Sequence, residues 1–85
     1  MEKAILLSAH AREKMVDRGA VESEVIAAIR SGNYEPARKG RLMFRKNFSY
    51  DRLWREKHYA IKQVAPLVAE ESERFVVVTV FVYCF

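Results

Sequence analysis

Hydrophobic spacing along the chain changes from helical to alternating near its middle, and that change divides it into two kinds of element. Ile5, Leu6 and Leu7 form a short apolar run that predicts a strand over residues 3–7. Ser8 then offers an N-cap and Gly19 a left-handed stop, which bounds a helix running to about Arg18. A second helix, Glu22 to Ser31, carries Val25, Ile26 and Ile29 on one face, ends at Gly32 and is followed by Pro36. Beyond it the period becomes two. Leu42, Phe44, Phe48 and Tyr50 share one side of a strand, with Arg41, Met43, Arg45 and Asn47 on the other. Lys46 interrupts the apolar side and marks a candidate bulge. A turn from Asp51 to Lys57 leads into a strand from about His58 to Val68, where Pro66 is expected at an edge or bulge. After a turn at Glu70–Glu73, the last strand runs from Arg74 to Tyr83.

That last strand is apolar on both sides. Val76, Val78, Val80 and Val82 alternate with Phe75, Val77, Thr79, Phe81 and Tyr83, the pattern of a strand inside a sheet or under a partner. Pairing of residues 3–7 beside it makes it interior. The pattern as a whole predicts an α+β domain over residues 1–85: two N-terminal helices on one face of a three- to four-stranded antiparallel sheet. The helices are expected to cover the Val76, Val78, Val80 and Val82 side. The face with Phe75, Thr79, Phe81 and Tyr83 is then a ligand cleft, a dimer interface or the underside of a loop.

Composition narrows the classes. With 85 residues, 51% of them apolar, the chain has room for one domain and too much apolar content for disorder. The charge-free run Phe75–Phe85 is about half of the roughly 20 residues of a membrane helix. The apolar stretch near the N-terminus is too short for a signal-peptide core, and the lone Cys84 has no partner for an internal disulfide. A cytoplasmic location is the default expectation. Two histidines and one cysteine give no metal-ligand spacing, so no metal or cofactor is expected.

The net charge of +4 is unevenly placed. Residues 38–62 carry nine Lys/Arg against Asp51 and Glu56, a balance of +7, while the flanking segments are slightly acidic. Phe44, Phe48, Tyr50, Trp54 and Tyr59 are interleaved with those cations. Cations that pair with phosphates, beside flat rings on which unpaired bases stack, make single-stranded RNA a candidate ligand. Arg41, Arg45, Arg52, Trp54 and Arg55 are its candidate contacts, together with Lys14 on the first helix. The alternative places Phe44 and Phe48 in the core, with the cations as their solvent-facing neighbours.

The run Ala9-His10-Ala11-Arg12, then Met15, Arg18-Gly19-Ala20 and Val25, resembles the signature of the bacterial domain-of-unknown-function family 4258. Lys62-Gln63-Val64 and Val78-Thr79-Val80 resemble that family's last two strands. Glu22 departs from it, standing where the second helix often has a Ser or Thr cap. The family is similar to RelE-type ribonuclease toxins, and the resemblance implies two helices on a curved antiparallel sheet, RNA held against that sheet, and a small antitoxin protein as a partner.

A metal-independent ribonuclease needs a base for the 2′-hydroxyl, an acid for the leaving oxygen and a cation beside the developing charge. His10 is the candidate base, because the positive end of its helix favours the neutral, proton-accepting imidazole. Lys14 and Arg18 follow at one-turn spacing on the same face as phosphate ligands, and Lys62, Arg45, Thr79 and Tyr83 supply the rest from the sheet. His10, Arg18, Lys62 and Tyr83 are therefore the candidate catalytic set. His58 has no partner pattern and is expected at a strand start. The alternative function is a non-catalytic binding module, or a homodimer, using the basic hairpin or the open face of the last strand.

Overall fold

A computed structural model describes residues 3–85. The elements in chain order are β1 (Ala4–Leu7), α1 (Ala9–Arg18), α2 (Glu22–Ser31), β2 (Asn33–Pro36), β3 (Leu42–Trp54), β4 (Lys57–Glu70) and β5 (Arg74–Cys84). A single 3-10 turn, Arg38–Gly40, joins β2 to β3. The fold is α+β, as the hydrophobic pattern predicts, but the sheet has five strands in the order β1-β5-β4-β3-β2. It is also mixed, because β1 runs parallel to β5. β2 has no hydrophobic signature in the sequence, because all four of its residues are exposed and carry no apolar alternation. No helix among the described residues is long and apolar enough to cross a membrane.

Helix boundaries follow their punctuation. The Ser8 side chain accepts the Ala11 N–H at 3.0 Å, and Gly19 takes φ 77°, a conformation that glycine adopts without a Cβ penalty. Glu24, not a Ser or Thr, completes the start of α2, its carboxylate accepting the Val21 N–H at 3.1 Å. Ala11, Met15, Val25, Ala28 and Ile29 are buried, and both helices lie on one face of the sheet. They cover Phe44, Val64, Val68, Val77 and Val80 in a single core, against which Ile5, Leu42, Phe48, Phe75 and Val82 pack.

Two register shifts change what each face of the sheet presents. In β5, Leu67 pairs with Thr79 and Val68 with Val77, which leaves Val78 as an extra residue. Because one extra residue exchanges the two sides of a strand, Phe75 and Val77 join Val80 and Val82 on the core side. The uncovered side therefore carries Val76, Thr79, Phe81 and Tyr83. Thr79, Phe81 and Tyr83 lie there as expected, whereas Phe75 turns inward and packs edge-on against Phe44 with ring centroids 5.9 Å apart.

In β3 the extra residue is at Tyr50–Asp51, where Asp51 has φ 49°, and not at Lys46, which pairs in register with Val64. Pro66 is in the central strand and not at an edge. It adjoins the β5 bulge, and the β3–β4 ladder lapses opposite it, where proline has no N–H to contribute.

The expected Asp51–Lys57 turn is instead a continuation of the hairpin. Trp54 pairs with Lys57, so only Arg55 and Glu56 form the turn, with φ of 51° and 67°. β5 ends its pairing where Phe85 meets Ile61, so the Arg52–Tyr59 segment projects as a two-stranded arm from a molecule of 42 × 23 × 23 Å. β5 itself is interior only over Arg74–Val77, the span that pairs with β1.

Two substitutions test these constraints. A Cβ on Gly32 would stand 2.5 Å from the Arg45 carbonyl oxygen and closer still to that of Ala28, so Gly32→Ala is expected to lower stability by about 2 kcal/mol, read from urea denaturation. At the turn, Glu56→Gly relieves a left-handed side-chain residue and is expected to raise stability by about 1 kcal/mol in the same assay.

Candidate nucleic-acid interface

The uncovered face is built by alternation on three long strands. Register puts Met43, Arg45, Asn47 and Ser49 of β3 beside Leu67, Ala65, Gln63 and Ile61 of β4, and these beside Thr79, Phe81 and Tyr83 of β5. Past the β3 bulge the even-numbered residues take over, so Arg52 pairs with Tyr59 and Trp54 with Lys57 on this same side. Aromatic rings thus continue from Phe81 and Tyr83, through Phe85, to Tyr59 and Trp54 on the arm. Tyr83 is 46% and Phe85 58% exposed, an arrangement that leaves ring faces open to a flat ligand.

Cations accompany the rings. Arg45 lies 5.9 Å from the Tyr83 ring, Arg55 sits 4.7 Å over Trp54, and Lys57 5.6 Å over Tyr59. The Trp54 and Tyr59 rings are 6.5 Å apart. Arg45 also anchors a polar chain across the face. Its Nε donates to Glu35 at 3.2 Å and its Nη1 to Gln63 at 3.2 Å, while Gln63 donates to Asn47 at 2.9 Å. Glu35, Gln63 and Asn47 were not singled out from the sequence, because only strand register brings residues 35, 45, 47 and 63 together.

The structure distributes the expected site residues among several places. Arg45, Arg52, Trp54 and Arg55 lie along the uncovered face and its arm. Arg41 precedes β3 at the opposite end from the arm, and Lys14 lies half-buried on α1. The four candidate catalytic residues do not converge. His10 is exposed in the first turn of α1, about 12 Å along the axis from Arg18.

Arg18 reaches round the part of β5 that β1 leaves free. It donates to the Val80 carbonyl at 2.9 Å and lies 5.0 Å from the Phe81 ring. Tyr83 is two residues further on the same side. Lys62 points the other way, toward the helices. Only 7% exposed, it donates to the Gly19 carbonyl, pairs with Glu24 at 2.8 Å, and stands 5.8 Å from the Tyr50 ring. Its ammonium ties the α1–α2 corner to β4. His58 does have a partner, Asp51, whose carboxylate lies 2.6 Å from Nε2 across the arm.

Among the described residues no group of three or more His, Cys, Asp or Glu side chains is arranged to hold a metal ion. Cys84 is free and half-buried.

Because Glu24, half-buried, would lose its ammonium partner and keep just the Val21 N–H, Lys62→Ala is expected to cost about 2 kcal/mol, measured by chemical denaturation. An unchanged unfolding midpoint would remove the tie assigned to Lys62. Comparison of the chain with protein families, curated proteins and solved structures found no match in any of the three.

Proposed function

We propose that this domain binds single-stranded RNA along the uncovered sheet face and the β3–β4 arm. The observation that carries the reading is the single row of rings and cations from Phe81 and Tyr83, past Arg45, to Tyr59, Trp54 and Arg55. Open ring faces stack on unpaired bases, and guanidinium and ammonium groups beside them neutralise the phosphates between those bases. A duplex keeps its bases stacked on one another and offers nothing to such rings. The resemblance to a family similar to RelE-type toxins, which hold RNA against a sheet, supports the same face.

Binding without cleavage is the reading that the side chains favour. His10 stands apart from Tyr83, and the Lys62 ammonium is already engaged by Glu24 and Gly19.

Fluorescence anisotropy with labelled single-stranded and duplex RNA tests the proposal. Engagement of Arg45, Arg52, Arg55 and Lys57 predicts that log affinity falls against log salt with a slope near −3, at roughly −0.7 per neutralised phosphate of a single strand. Trp54→Ala is expected to weaken binding about tenfold, within the roughly 1 to 3 kcal/mol per stacked base, and Arg45→Ala to weaken it and to flatten the salt slope by about 0.7. Salt-independent binding, equal affinity for duplex, or unchanged affinity in both variants would sink the reading. RNA recovered shortened from the wild-type protein would restore cleavage to the account.

A further inference from the structure

Lys46 is the one interruption of the apolar side of β3, and the sheet-face reading makes no use of it. It stands in register beside Val64, which is fully buried, and is itself half-buried on the helix side of the sheet. Arg45 is held by Glu35, Lys62 by Glu24 and Lys3 by Glu70. Lys46 has no hydrogen-bond, ion-pair or ring partner among the described residues. Its stem lies along the sheet while its ammonium has no counter-charge among those residues, which leaves it to pair with an anion from outside.

The space for such an anion is present. β2 accompanies β3 only as far as Arg45, so from Lys46 onward that edge of the sheet is bare. Between this edge and the end of α2 lies a cleft of about 370 Å³, lined among others by Ser31, Asn33, Lys46, Asn47 and Gln63. Its volume falls within the range of small-ligand sites, roughly 300 to 1,000 Å³.

The two walls differ in chemistry. The β3 wall is cationic, whereas the opposite wall is the C-terminal end of α2, where helix carbonyls disfavour a bare anion and favour hydrogen-bond donors. Ser31 already donates its hydroxyl to the Ala27 carbonyl at 3.0 Å, and it and the Asn33 amide offer acceptors. Asn47 accepts from Gln63 through Oδ1, which leaves both of its Nδ2 hydrogens to donate. A ligand that suits both walls carries a phosphate on one side and hydroxyl or amide-like groups on the other.

We propose that this cleft holds one nucleotide unit, with Lys46 on its phosphate and Asn33 and Asn47 on its sugar or base. The inference rests on the RNA reading for its wider setting: Arg45 belongs both to the sheet face and to the rim of the cleft, so a strand crossing the face passes over the bare β3 edge into it.

Amide NMR of the full chain, titrated separately with adenosine 5′-monophosphate, adenosine, inorganic phosphate and a single-stranded RNA, tests the assignment. The monophosphate is expected to shift Gly32, Asn33, Lys46 and Asn47 at lower concentration than either of its parts. Lys46→Gln should weaken that response at least tenfold with an unchanged melting temperature. An equal response to inorganic phosphate alone overturns the nucleotide assignment, and no shift at these residues overturns the site. RNA shifts confined to Tyr59, Phe81 and Tyr83 would remove the cleft while leaving the sheet-face reading intact. Shifts at the cleft with the monophosphate, but no RNA binding, would support a free-nucleotide site and remove the sheet-face reading.

Discussion

Among the described residues, two helices of ten residues each are the cover of this five-stranded sheet, and both lie on the same side. The rest of the structure depends on that shortage. On the covered side, small and branched side chains such as Ala11, Val25, Val64 and Val77 close into one core. On the other side the strands must remain tolerable in water, and they do so by mixing rings with charged and amide groups. The tie between Lys62, Glu24 and the Gly19 carbonyl matters for the same reason, since it fixes the corner between the two helices on β4.

The bulges decide what each side presents. Without Val78 as an extra residue, Phe75 would lie with Phe81 and Tyr83 on the bare face, and the core would lose its contact with Phe44. Without the extra residue at Tyr50–Asp51, Arg52 and Trp54 would turn to the opposite side from Arg45. Each insertion shifts a strand by one position, so a row of rings and cations forms from residues whose parities disagree in the sequence.

How far the sequence could be read follows from where each signal resides. Ser8, Gly19 and the spacing of Val25 and Ile29 are local, and both helices match their predicted spans. The alternation of Leu42, Phe44 and Phe48 is local too; it puts the three on one side, and the core position of Phe44 and Phe48 is the alternative reading, which removes both rings from the candidate stacking set. A bulge, by contrast, is a relation between two strands, and nothing in Phe75-Val76-Val77-Val78 alone reveals which residue will be the extra one. Lys62 looked like a free cation because its partners, Glu24 and Gly19, lie 38 and 43 residues away. The polar chain from Glu35 to Asn47 was hidden for the same reason, and the exposed strand β2 had no apolar pattern to announce it.

The parallel pairing of β1 with β5 joins Ala4 to Arg74, nearly opposite ends of the chain. Every other strand pair in the sheet connects sequence neighbours through a turn or short loop. Loop closure of that length carries the largest entropic cost in the molecule, and four residues on β1 repay it. β2 through β5 are thus joined by local closures, and β1, with the Ser8 cap of α1 beside it, by the one distant closure of the sheet. The fold is in this sense fastened along a four-residue seam, and that seam alone holds the first strand to the last.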